Sequence, residues 1–108
     1  LHFLDSQQRR STLAQLHRRL KAGAPFVTVH ASLPHGEEER SRWLGRYAAF
    51  AKSSGVESEE VKTAHRGVKM NVSVLSPEQD EAILREAGFS NIGLFYAGFI
   101  LRGWVAYA

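Results

Sequence analysis

The run Pro25-Phe26-Val27-Thr28-Val29-His30-Ala31 constrains the fold of this chain more than any other stretch. It is short, β-branched and nearly all apolar, and it stands between Gly23 and Pro34. Such a run reads as a strand covered on both faces, as in a parallel sheet. A helix leads into it. Asp5 or Ser6 can cap that helix, because a short oxygen-bearing side chain satisfies the free N–H groups of the first turn. Leu13, Leu16 and Leu20 then recur at helical spacing, with Arg9, Arg10, Arg18 and Arg19 mostly on the other arc. Gly23 ends the helix, since glycine turns left-handed without steric cost. Helix, short link and buried strand make the second half of a βαβ unit. Leu1-His2-Phe3-Leu4, ended by Asp5-Ser6, reads as the last residues of a strand that begins earlier. The chain is therefore expected to be the C-terminal part of a longer protein.

Beyond Pro34 and Gly36 the spacing predicts a second amphipathic helix, from about Glu37 to Ser54, with Trp43, Leu44, Tyr47, Phe50 and Ala51 on one stripe. Gly55 closes it. A weaker helix follows to about His65, then a mixed, extended segment to Leu75. Ser76-Pro77-Glu78-Gln79 is a capping box with proline at the first helical position, and the helix it starts stops at Gly88. Ile92–Ile100 and Trp104–Ala108 read as strands joined by a turn at Leu101-Arg102-Gly103, an antiparallel hairpin. The whole is an α/β chain, parallel at first and antiparallel at its far edge.

Composition removes several functions. The chain has no cysteine, which excludes a disulfide scaffold, a thiolate zinc site and a cysteine nucleophile, and accords with a cytoplasmic setting. No apolar stretch approaches the roughly 18–20 residues of a membrane span. Fourteen Lys and Arg against eleven Asp and Glu leave +3, which permits a polyanion as partner without requiring one. Glycine-rich phosphate loops and the G-x-S-x-G elbow are missing. No His pair has zinc-protease spacing, so no metal is expected. His17 reads as exposed. His2 and His30 each stand at the carboxyl end of an expected parallel strand, where open α/β sheets take their ligands; each reads equally well as site-lining or structural. The Trp43/Tyr47 stripe reads first as a packing face and second as a substrate cage. His65-Arg66 reads as a solvated loop ahead of an anion-binding pair.

Three stretches together resemble the C-terminal half of a class I, S-adenosylmethionine-dependent methyltransferase. They are Leu1-His2-Phe3-Leu4-Asp5 through Leu20-Lys21-Ala22-Gly23, then Leu84-Arg85-Glu86-Ala87-Gly88-Phe89, then Leu94-Phe95-Tyr96 through Gly103-Trp104-Val105-Ala106. Ala22-Gly23-Ala24 departs from the family's turn by losing a proline and a glycine. The resemblance implies a Rossmann-like sheet over residues 1–108, with a helical insertion at 34–72 on the substrate side. It further implies S-adenosylmethionine as cofactor, met by Leu1, His2 and Phe3, and an acceptor side lined by His30, Trp43, Tyr47 and Arg66. The family's glycine-rich cofactor loop would precede Leu1.

Within that superfamily, Ser53-Ser54-Gly55-Val56-Glu57, His65-Arg66 and Met70-Asn71-Val72 are similar to the carboxy-S-adenosylmethionine synthase type, which feeds tRNA wobble-uridine modification. There Arg66 would pair with a carboxylate, as a guanidinium fork suits. His30 and Val56 depart from that type's acidic and aromatic residues. The partners expected are a small-molecule substrate or a tRNA-modification pathway, with a homodimer open through the aromatic stripe. The alternatives are a non-catalytic, methyltransferase-derived interaction module and, behind it, a small basic RNA-binding domain.

Overall fold

A computed structural model describes residues 1–57, 59–60 and 73–108. The elements run α1 (Ser6–Arg19), β1 (Pro25–Ala31), α2 (Glu37–Ser53), α3 (Pro77–Glu86), β2 (Ser90–Gly98) and β3 (Leu101–Tyr107). The three strands form one sheet in the order β1-β3-β2, antiparallel throughout.

Two of the helices, α1 and α3, start where the sequence supplies a side-chain cap. Asp5 accepts from the Gln8 N–H at 2.8 Å while the Gln8 side chain accepts from the Asp5 N–H at 3.1 Å. Ser76 and Gln79 repeat this reciprocal pair at the start of α3, with Pro77 in the first turn. Gly88, at φ 105°, turns the chain out of α3, and the His17 ring lies so close that a Cβ there would stand 2.8 Å from it. His17 is accordingly half-buried, edge-on to Phe89 at 5.0 Å, and not the exposed residue that its helix arc suggested.

Two apolar clusters hold the elements together. Leu13 of α1, Ile83 and Leu84 of α3, Phe89, and Trp104 and Ala106 of β3 form the larger. Ala31, Leu33, Leu44, Val74 and Ile100 form the second, with Trp43 and Tyr47 of α2 packed against it. The packing face expected of α2 is thus present, although Phe50 stays half exposed and stacks on Phe99 at 4.6 Å.

Three local expectations are corrected. Leu1–Leu4 is a turn rather than a strand end, closed by the Leu4 N–H on the Leu1 carbonyl at 2.9 Å. Among the described residues no strand lies beside it, and the Ala31 N–H that a ladder would have used is taken by His2 Nδ1 at 3.0 Å. Next, β1 is not covered on both faces. It alternates, with Phe26, Thr28 and His30 inward and Val27 and Val29 exposed, and its described partner is antiparallel.

The hairpin, finally, turns at Phe99-Ile100, with Phe99 at φ 53°, and Leu101, Arg102 and Gly103 lie within β3. Gly103 is a close-approach glycine rather than a turn glycine: a Cβ there would stand 3.0 Å from the Phe95 ring and 3.1 Å from Tyr96 Cβ. The bulge between Leu94 and Tyr96 delivers those side chains onto it. The expected helix to about His65 is described only at residues 59 and 60, and Arg66 and most of the extended segment lie outside the described residues.

Candidate ligand-binding edge at the end of β1

The carboxyl end of β1 gathers residues from four segments. His2 is pinned there by the Ala31 N–H, and a neutral ring is required, because Nδ1 accepts the bond. Its pKa is lowered below the ordinary histidine value, first by burial and further by the nearby His30 and Arg9. Phe3, next to it, is 80 % exposed, with its ring 4.3 Å from the His2 ring. Leu1 packs against the larger core cluster.

Behind this edge lies a buried polar network. Arg9 is 0 % and Asp80 2 % exposed, and Arg9 Nη1 meets Asp80 Oδ1 at 2.6 Å. His30, 1 % exposed, brings Nε2 to 3.2 Å from the same oxygen without hydrogen-bond alignment, while Nδ1 lies 3.2 Å from Thr28 Oγ1. Its ring sits 5.1 Å from that of Trp104, whose indole N–H donates to Glu81. Among the described residues, Arg9 Nε, His30 Nε2 and Asp80 Oδ2 are buried and find no hydrogen-bond partner. One carboxylate thus faces a guanidinium and an imidazole inside the core.

Arg9 was expected on the solvated arc of α1, and Asp80 drew no notice. Both were legible: Arg9 stands four residues before Leu13 on the apolar stripe, and Asp80 stands three and four before Ile83 and Leu84 on theirs. A lone charge on each of two buried stripes, opposite in sign, is the signal of a buried pair.

The residues expected on the acceptor side are divided. Trp43 and Tyr47 are half-buried on α2, with the Arg46 guanidinium carbon 4.6 Å and that of Arg102 5.3 Å from the Trp43 ring centroid. His30 is enclosed in the network and reaches no surface. Elsewhere, an open depression of about 460 Å³ runs along the start of α1, lined by Leu4, Gln7, Gln8, Ser11 and Thr12, none of them titratable.

This arrangement of helices on a small sheet that ends in an antiparallel hairpin is the C-terminal portion of the class I methyltransferase fold. Human N-acetylserotonin methyltransferase, solved with S-adenosylmethionine (SAM), aligns with 99 % of this chain at a TM-score of 0.62 and 17 % identity. PigF, solved with SAH, aligns with 99 % at 0.60 and 21 %, and a Bordetella parapertussis protein described as a possible exported protein aligns with 99 % at 0.60 and 15 %. The chain spans 26 %, 28 % and 36 % of those three chains. No protein-family model matches the sequence, and no curated protein is significantly similar to it. Among the described residues no helix is long and apolar enough to cross a membrane.

Proposed function

We propose that the chain is part of a SAM-dependent methyltransferase, the part that closes the sheet and borders the cofactor and acceptor sites. The observation that carries this reading is the His2–Ala31 bond, which sets His2 and Phe3 at the carboxyl end of β1 within a fold shared with a methyltransferase solved with SAM and with PigF solved with SAH. Ligands of open α/β sheets bind beyond such strand ends. An exposed phenyl ring there suits a flat, apolar portion of a cofactor. SAM, when bound, supplies an electrophilic methyl group. The contribution of Leu1, His2 and Phe3 is to place it, and that of Trp43 and Tyr47 is to cover the acceptor side and exclude water. His30 contributes from within the core, beside Asp80, rather than by meeting an acceptor.

The narrower likeness to the carboxy-S-adenosylmethionine synthase type, with its place in tRNA wobble-uridine modification, rests on Arg66 and its neighbours. An Arg66→Ala variant that keeps cofactor affinity and loses turnover would favour it. The non-catalytic reading draws on the exposed Val27, Val29, Phe95 and Tyr96, which share one sheet face open to a partner.

Calorimetric titration of the complete polypeptide that carries this segment tests the proposal. Saturable binding of SAM is expected, weakened about threefold to tenfold by Phe3→Ala. A folded polypeptide that bound neither SAM nor S-adenosylhomocysteine would falsify it.

A further inference from the structure

We infer that Arg9 is a positioning residue for the proposed site, fixing at once the segment that presents Phe3 and the segment Ser73–Leu75 that leads into α3. The inference rests on the methyltransferase reading above for its consequence, and on geometry alone for the clamp itself.

Phe3 is 80 % exposed, so its position comes from the backbone on either side of it. On one side His2 is held by the Ala31 N–H. On the other, the Leu4 carbonyl accepts from Arg9 Nη2 at 3.3 Å, and the Leu4 N–H closes the turn on Leu1. The same Nη2 donates to the Ser73 carbonyl at 2.6 Å, and Nη1 meets Asp80 at 2.6 Å. One fully buried guanidinium therefore bridges the Leu1–Leu4 turn, the chain before α3, and α3 itself.

Residues 73–75 belong to no helix or strand and are held from outside. The Ser73 carbonyl takes Arg9, the Val74 carbonyl takes Arg40 of α2 at 2.9 Å, and the Leu75 carbonyl takes the Leu33 N–H at 3.0 Å and Ser32 Oγ at 3.2 Å. Without Arg9, this segment loses its tie to α1 in the same event that frees the Leu4 carbonyl. A lysine cannot replace it, because a point charge on a flexible stem lacks the planar fork that spans three divergent acceptors.

The test compares Arg9→Lys and Arg9→Gln with Leu13→Ala in the complete polypeptide. Leu13 is buried one turn along α1, belongs to the apolar cluster and touches neither segment's carbonyls, so its truncation destabilises without unclamping. SAM affinity is read by calorimetry, and amide hydrogen exchange is read at residues 1–4 and 73–75, with all variants folded. Both Arg9 variants are expected to weaken SAM about tenfold or more, and Leu13→Ala about twofold at most. Exchange should rise together in residues 1–4 and 73–75 in the Arg9 variants and in neither segment in Leu13→Ala. If Arg9→Lys binds SAM like the wild type, or exchange rises in one segment alone, Arg9 is not the shared clamp. If the wild type binds no SAM yet the exchange pattern holds, the clamp stands and the methyltransferase reading falls.

Discussion

Asp80 is the residue on which the interior most depends. Its carboxylate is 2 % exposed and faces both Arg9 and His30. Neutralising it leaves a guanidinium buried without its counter-ion, and breaking such a pair from one side costs about 3–5 kcal/mol. Urea unfolding of Asp80→Asn is expected to show a loss of that size. The double change Arg9→Met with Asp80→Leu should lose less than either single change, because neither charge is then stranded. His2 adds a pH dependence. Its folded pKa is lowered, by burial first, so the unfolded chain binds its proton at a higher pH than the folded one does. The stability that neutral His2 contributes is present above about pH 6.5 and is lost as pH falls through that value toward the folded pKa. Chemical-denaturation midpoints should fall less steeply in His2→Gln than in the wild type between about pH 7.5 and about pH 5.5, roughly one unit either side of the ordinary histidine value. These side chains were only half legible in the sequence. The stripe positions of Arg9 and Asp80 could be read from spacing, but their meeting required knowing that α1 and α3 pack together.

At the scale of elements, local chemistry was the most readable. The Ser76/Gln79 capping box is where those residues say it should be, and of the candidate caps Asp5 and Ser6 it is Asp5 that starts α1, in a box with Gln8, because a cap is a contact across three positions of chain. Ser76→Ala is expected to cost about 1 kcal/mol in thermal or urea unfolding, and Ser76→Asp to restore most of it. The hairpin was misread for the opposite reason. A glycine placed three residues into a strand looks like a turn unless one sees the aromatic side chains that cross above it. Gly103→Ala puts a methyl group against the Phe95 ring and Tyr96 Cβ. The exposed phenyl ring can move aside; a Cβ tied to the neighbouring backbone cannot. Calorimetry should report a loss of about 1–3 kcal/mol, with the bulge at Phe95 the first region to lose exchange protection.

For the molecule as a whole, the α/β class and the closing hairpin were visible in the order of periodicities, whereas the coverage of the sheet was not. A β-branched run says that a strand is apolar; it does not say whether both its faces are covered within the same stretch of chain. Val27 and Val29 were taken for buried residues, yet they stand open on the face that also carries the exposed Phe95 and Tyr96. The order β1-β3-β2 has a consequence for how such a chain is made. A ribosome delivers β3 after every other element described here, yet β3 is the middle strand that both of the others need. Until it emerges, β1 and β2 have no shared neighbour, and Trp104, the most enclosed ring in the core, is still missing. A nonsense codon at Leu101 would therefore remove the keystone of the sheet rather than trim its rim, and such a product should be cleared as unfolded chain.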